Sequence, residues 1–249
     1  MVLTSGRGAS LFSALISDLI PNLNCLTATQ GFMRYNNTES SNELFKQNKD
    51  NITNYFSSKI DLTKDNTFAY IYGLLNSKEY QKRYSNDLKK DLARIPSVKD
   101  KNKYVEIGKK LINLHLNYEK VEPYNKVKVT IKGNPGYKVN KMKFAKKRNS
   151  ETNKLENDRS TIIFNDSVTI TNIPLKAYQY IVNGRSAIEW IMDQYRVKTD
   201  KKSGIVDDPN DYSDDPKYIF NLLLRIINVS LKTIDLINQL PKLEVDNDN

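Results

Sequence analysis

Residues 126–132, KVKVTIK, mark the point where the apolar period of this chain changes. Val127, Val129 and Ile131 alternate with Lys126, Lys128, Thr130 and Lys132. A period of two with one charged face is the pattern of a half-buried strand. Upstream, between about residues 51 and 120, apolar residues recur instead at three and four, as on helices. Helices and strands therefore occupy separate stretches, which indicates an α+β architecture.

The segments on either side support this reading. "LFSALISDLIP" and "LNCLTATQGFMRY" are strand-like runs within residues 1–35, with a turn at "SGRGAS". Residues 36–50 are polar and read as a loop. "NITNYFSSKI" fits a short helix, and a longer one follows with Thr63 as N-cap and Phe68, Tyr72 and Leu75 at helical spacing. A break near Asn76 lets a further helix start on Ser77 and run to about Arg94, ahead of Pro96. "KYVEIGKKLINLHLNYEK" is again amphipathic, through Val105, Ile107, Leu111, Leu114 and Leu116. After KVKVTIK, "GNPG" makes a turn and "YKVNKMKFAKK" repeats the alternation, giving one basic hairpin. "STIIFN" and "SVTITNIP" give a second, turning at Asn165-Asp166. The final helix carries a stripe of Phe220, Leu223, Leu224, Ile227, Leu231, Ile234 and Ile237, and Asp214 or Asp215 can cap it. The whole is expected to be one domain over 1–243, comprising a strand region (1–35), a helical segment (51–120), a basic β region (124–173) and a C-terminal loop and helix region (174–243). Residues 244–249 read as a disordered tail.

An apolar fraction of 39% and a charged fraction of 27% are those of an ordinary folded protein. No apolar run approaches the ~20 residues that cross a bilayer. The N-terminus carries no signal-peptide pattern, so a cytoplasmic location is expected. Cys25 and His115 are each the sole residue of their type, which argues against disulfides and against Cys/His metal sites. Cys25 reads as a small core residue and His115 as a half-buried helix residue.

No phosphate loop, nucleophile elbow, metal-binding helix pair or kinase signature is present. Asp207-Asp208 and Asp214-Asp215 are paired carboxylates, but beside Pro and Asn they suit turn and helix caps. Glu106 and Lys109 stand at a nuclease-like spacing, yet on an amphipathic helix they are ordinary surface residues. No catalytic residue, metal ligand or cofactor is expected; a Mg²⁺-dependent nuclease built on Glu106, Asp207 or Asp208 is the remaining enzymatic alternative.

What stands out is charge. The net charge is +10, and between Glu122 and Glu151 there is no acidic residue, while Lys126, Lys128, Lys138, Lys141 and Lys143 lie in that gap with four more cations. A block of one sign is either a solvated face or a polyanion-binding surface. Lysines on strands gain affinity by neutralising phosphates; reading bases needs polar side chains projected from loops. Two such stretches occur, "NGRS" at 183–186 and "RVKTDKKSG" at 196–204.

The stretch "VNGRSAIEWIMDQYRVKTDKKSGIVDDPND", followed by "PKYIFNLLLRIINVSLKTIDLINQLP", resembles the C-terminal part of Type ISP restriction–modification enzymes. "FAYIYGLLNSKEYQKRYSNDLKKDLARIP" and "SGRGASLFSALISDLIPNLNCLTATQGFMRY" are similar to further segments of that part, in the same order. The resemblance covers most of 1–98 and 174–241 and is looser over 99–173. In that family a nuclease, a helicase-like ATPase and an adenine methyltransferase precede a target-recognition domain, so the resemblance implies a fragment, split subunit or truncated frame without catalysis of its own. It implies double-stranded DNA as ligand and the methyltransferase and helicase portion as neighbour, in the same or a partner chain.

The DNA-binding residues expected on these grounds are Lys126, Lys128, Lys138, Lys141, Lys143, Arg185, Arg196, Lys198, Lys201 and Lys202. Arg185 can contact a phosphate or pair with Glu189 one turn along. Trp190 reads as core rather than as a platform for a base. The loop after Arg196 can face DNA or the methyltransferase, or it can be a lid whose Asp and Lys residues satisfy one another. The alternative for the whole chain is an interaction module that docks a methyltransferase through its final helix and the helix over 63–75.

Overall fold

A computed structural model of the chain describes residues 1–6, 8, 11–21, 25–36, 49–134 and 136–246. It divides into two compact units: Met1–Asn117 with Val182–Gly184 and Asp235–Asn249, and Tyr118–Ile181 with Arg185–Ile234. Most of the loop expected over 36–50 lies outside the described residues, as do parts of the "SGRGAS" turn and of "LNCL", and residue 135 in the "GNPG" turn.

The first unit opens with strands β1 (Val2–Thr4), β2 (Ala14–Ile16) and β3 (Gln30–Phe32), in an antiparallel sheet ordered β2-β1-β3. Two short strands, β4 (Tyr35–Asn36) and β5 (Lys49–Asp50), pair with each other. Helices follow: α1 (Asn54–Lys59), α2 (Lys64–Leu75), α3 (Lys78–Arg83) and α4 (Lys101–Leu116). The first three start on hydroxyls. Thr53, Thr63 and Ser77 each accept a hydrogen bond from the backbone N–H three residues on, a cap contributing about 1 kcal/mol.

Two boundaries differ from the sequence reading. α3 stops at Arg83 rather than near Arg94, and hydrogen-bonded turns replace it, with Leu88 N–H donating to Tyr84 and Asp91 N–H to Asp87. Ser85, Asn86 and Asp87 compete locally for backbone hydrogen bonds and favour turns over a continued helix. At the other end, residues 244–246 are held rather than frayed. Val245 bridges to Val98, and the Lys99 and Asp246 N–H groups donate to Glu244 and Ser97 carbonyls. Residues 247–249 lie outside the described ones.

Helices α2 and α4 meet at glycines. A Cβ on Gly108 would fall 1.9 Å from the Ala69 carbonyl oxygen, and one on Gly73 would fall 2.4 Å from that of Tyr104. Backbone stands against backbone there, and only hydrogen fits. The surrounding core is rich in tyrosine, and the hydroxyls of Tyr70, Tyr72, Tyr80 and Tyr104 each have a partner. Tyr70 and Tyr80 donate to the carbonyls of Pro96 and Arg94 at 2.6 Å, and Tyr104 donates to Pro241 at 3.1 Å. Tyr72 shares a 2.6 Å hydrogen bond with Nδ1 of His115. His115 is thus more deeply buried than expected, and Cys25 less so, being only half-buried.

The second unit contains β6 (Lys128–Ile131), β7 (Lys143–Arg148), β8 (Leu155–Ile163) and β9 (Val168–Thr171), ordered β6-β9-β8-β7. The hairpin turning near Asn165 forms as expected, β8 with β9. The basic hairpin does not. β6 pairs with β9, β7 pairs with β8, and the two lysine-bearing strands lie at opposite edges. The alternation located a strand in each segment, although residues 137–142 of the second are irregular and β7 begins at Lys143, and it carried no information about partners. The apolar side chains of Ile162, Phe164, Val168 and Ile170 are fully buried, which draws β8 and β9 to the centre. Lysine-bearing strands suit edges, where charge discourages further pairing.

The chain then runs through β10 (Ile181–Val182), a turn at Asn183-Gly184, and β11 (Arg185–Ser186) into α5 (Ala187–Gln194). Asn183 and Gly184 both have positive φ, 50° and 82°, the pairing that Asn-Gly allows in a two-residue hairpin turn. Ser186 and Glu189 form a reciprocal capping box at the start of α5. A short ribbon of β12 (Lys198–Thr199) and β13 (Val206–Asp207) precedes α6 (Tyr218–Ile237). Asp215 accepts a hydrogen bond from Lys217 N–H at the entrance to α6. Phe220 packs edge-on against Tyr137 and Phe164. No helix among the described residues is long and apolar enough to cross a membrane.

Two outcomes follow from the first unit. Gly108→Ala forces α2 and α4 apart and should lower stability by about 2–4 kcal/mol, read as an earlier urea midpoint. Burial holds the His115 imidazole at about 4, below its ordinary 6.5. The unfolded chain therefore binds the proton first as pH falls. Stability is complete above 6.5 and decreases toward pH 4, by up to about 3 kcal/mol at ~1.4 per pH unit. Urea titrations at pH 7 and pH 5 should show this loss, and His115→Gln should remove its pH dependence.

Candidate nucleic-acid interface

The second unit brings together basic segments that are some sixty residues apart in sequence. Asn210 sits in a short 3₁₀ turn, Pro209–Asp211, where it is oriented by Asp208, whose carboxylate accepts from its backbone N–H at 2.9 Å and from its side-chain amide at 2.6 Å. That side chain clamps the backbone of Val139: its oxygen accepts from Val139 N–H and its nitrogen donates to Val139 C=O, both at 2.8 Å. One residue on, the carbonyl of Asn140 accepts from Val197 N–H at 2.9 Å. The segment bearing Lys138 and Lys141 is thereby fixed against the segment bearing Arg196 and Lys198. Asn165 holds the same strip from the other side, donating to the carbonyls of Gly136 and Lys138 at 2.6 and 3.0 Å. Val139 and Met142 are buried beneath, and Lys138, Lys141 and Lys143 are exposed.

The ribbon beyond Arg196 is built on its acids. The Asp200 carboxylate accepts from the N–H groups of Lys202 and Ser203 and from the Ser203 hydroxyl, at 3.0, 2.8 and 2.9 Å. These bonds, those with Ser203 foremost, hold its carboxyl below the usual range. Gly204 supplies a φ of 71°, and Asp200 and Ile205 close the base, N–H to C=O, at 2.9 Å. Asp207 accepts from the Tyr212 hydroxyl at 2.5 Å. The carboxylates are engaged by backbone, amide and hydroxyl donors and not by lysines. Among the described residues, no carboxylate lies within ion-pair distance of Lys198, Lys201 or Lys202. The reading of this loop as a lid whose Asp and Lys residues neutralise each other is thus not what the structure shows.

The expected site residues fall into two groups. Lys126, Lys128, Lys138, Lys141, Lys143, Lys201 and Lys202 are exposed, and Lys198 is half-buried at the foot of the ribbon. Strand registers put Lys128 and Lys143 on the same outward face of the four-stranded sheet, with Thr130, Thr169, Thr171 and Ile163 between them. Arg185 and Arg196 are paired, and with Asp193: 3.0 Å from Arg185 and 3.3 Å from Arg196. Glu189, weighed as the partner of Arg185, is taken instead by the capping box and by Arg159 at 2.9 Å. Arg185 and Glu189 lie one turn apart along the sequence, but Asp193 is on the stretch of α5 that Arg185 reaches. Trp190 is half-buried, while Ile188 and Ile191 supply the buried face of α5.

Sequence reasoning missed Asn210. Its signal was the string Asp-Pro-Asn-Asp, legible as a turn but silent about which distant backbone it would hold. The carboxylates considered for metal chemistry have structural partners. Glu106 is bracketed by Lys103 and Lys110 at 2.8 and 2.6 Å, hydrogen bonds that bring its carboxyl down to about 2. Asp207 and Asp208 serve Tyr212 and Asn210 as described, and among the described residues no group of three or more His, Cys, Asp or Glu is arranged to hold a metal.

Fold and site define a specificity domain of restriction–modification enzymes. Residues 1–222 match the Type ISP C-terminal specificity domain, and the chain belongs to that family. Among solved structures it is similar to the ATP-dependent Type ISP restriction–modification enzyme LlaBIII bound to DNA, with a TM-score of 0.86 and 44% identity over 98% of this chain. It is also similar to a nuclease-deletion mutant of the Type ISP enzyme LlaGI in complex with a DNA substrate mimic, with a TM-score of 0.82 and 46% identity over 99% of this chain. A DrdV–DNA complex shares the fold at 24% identity and a TM-score of 0.80 over 96% of this chain. The chain spans 16%, 21% and 24% of the length of these three proteins. No curated protein matches the chain.

The clamp can be tested directly. Asn210→Ala leaves the polar backbone groups of Val139 without their partner, which should cost about 1–3 kcal/mol. Amide exchange at Val139 should accelerate by one to two orders of magnitude on that scale, with little change at Tyr70 in the first unit.

Proposed function

We propose that this chain recognises a specific duplex DNA sequence as the target-recognition part of a Type ISP-like restriction–modification enzyme, and that it neither cuts nor methylates DNA itself. Membership of the specificity-domain family supports the reading, as does likeness over nearly the whole chain to two Type ISP enzymes solved with DNA or a DNA mimic. The observation that carries it is the convergence of Lys138 and Lys141 with the Arg196–Lys202 ribbon, where the lysines lack carboxylate partners among the described residues and the acids are occupied elsewhere. Uncompensated cations held at fixed spacing suit a phosphate backbone. A two-stranded ribbon is narrow enough to enter the major groove. Arg185 and Arg196 exchange a half-buried partner at the surface, Asp193, for phosphate at small cost, since such surface pairs contribute little. Catalysis and the methyltransferase and helicase portions belong, on this reading, to the rest of the enzyme, in the same or a partner chain, working in the cytoplasm.

Selection from random duplexes, followed by binding of the enriched pool at two salt concentrations, tests it. A short enriched motif whose affinity falls steeply with salt is expected. Reversing Lys126, Lys128 and Lys141 to Glu should weaken binding across all sequences and flatten the salt dependence by about one unit of slope for each phosphate no longer neutralised. Absence of enrichment, or indifference to the reversal, would contradict the proposal.

A further inference from the structure

The ribbon carries more than charge. Ile205 and Val206 stand 68% and 59% exposed on it, beside Lys201 and Lys202. Register pairs Thr199 with Val206 and Lys198 with Asp207, so these pairs occupy opposite faces. On one, Lys198 is half-buried and the exposed Asp207 accepts from Tyr212; on the other, Thr199 and Val206 are both exposed. Asp200 and Ile205 form the next pair at the tip, where Ile205 is exposed as well. The tip that presents them is fixed in advance by the Asp200 carboxylate and the left-handed Gly204. Two branched apolar side chains on a rigid, solvent-facing, basic ribbon contribute nothing to the core.

A partner must therefore supply both negative charge around the lysines and small apolar groups against Ile205 and Val206. A protein docking face supplies the second readily and the first only where acidic side chains ring the apolar ones. The major groove of DNA supplies both, because phosphates line its walls and each thymine projects a 5-methyl group from its floor. We infer, on the basis of the proposed DNA-reading role, that Ile205 and Val206 are specificity-determining residues that read thymine methyl groups in the major groove, with Lys201 and Lys202 on the flanking phosphates.

Deoxyuridine pairs as thymidine does and lacks only the methyl group, so it isolates this contact. The full chain is bound to its selected duplex, in which each thymine in turn is replaced by deoxyuridine. Replacement at one or two positions should weaken binding about fourfold, the effect of one buried methyl group. Ile205→Ala or Val206→Ala should abolish that sensitivity, and circular dichroism should be unchanged because both side chains are exposed. Enrichment of a motif that tolerates every deoxyuridine, or that contains no thymine in either strand, overturns this inference and leaves the DNA-reading role intact. Retention of the methyl effect in both variants also overturns it. Failure to enrich any duplex removes the DNA-reading role, and this inference with it.

Discussion

The two hydrogen bonds between Asn210 and the backbone of Val139 are the constraint on which the basic strip and ribbon of the second unit depend. Without them, the strip of residues 136–142 would be a long loop between edge strands, free to sample many arrangements. With them, and with Asn165 and Val197 holding either side, the strip becomes a fixed ledge. An amide is the one neutral side chain that offers a donor and an acceptor side by side, which is what a peptide unit requires of a single partner. Asp208 orients that amide, so a carboxylate acts here through geometry and not through its charge.

The same logic governs the electrostatics. A protein with 29 acidic residues against 39 basic ones could have neutralised most of its lysines locally. In the second unit the acids cap turns, receive hydroxyls and hold arginines, while the lysines on the ledge and ribbon are left to solvent. Exposed lysines carry no large desolvation cost, so the arrangement is tolerable in isolation and favourable beside a polyanion. The arginines behave differently: both lean on Asp193, which fixes where their forks start from before any ligand arrives.

Much of the framework is legible in local chemistry. Thr63 and Ser77 announce their helices because a hydroxyl three residues before a free N–H is a local signal, and the switch of period at residue 126 announces the strands. What fails is non-local. Alternation in KVKVTIK names a strand but not its neighbour, and the nearest turn suggests a hairpin that burial of Ile162 and Ile170 overrides. The end of α3 is misjudged because Pro96 is the conspicuous stop, whereas Ser85-Asn86-Asp87 end the helix well before it. Gly73 and Gly108 carry no local sign of their role, although the carbonyls of Tyr104 and Ala69 leave no room for a side chain at either. Arg185 visibly needs an acid, but the choice between Glu189 and Asp193 depends on the capping box and on Arg159, thirty residues before Glu189.

The tip of the ribbon takes its shape from Asp200, Ser203 and Gly204, and the side chains at 201, 202 and 205 contribute nothing to that shape. Form and content are thus separable within six residues. Substitutions at the three free positions leave the backbone where it is, so lineages can explore new side-chain combinations there without passing through unfolded intermediates. A change at Asp200 or Gly204 would instead alter the frame on which every such combination is displayed.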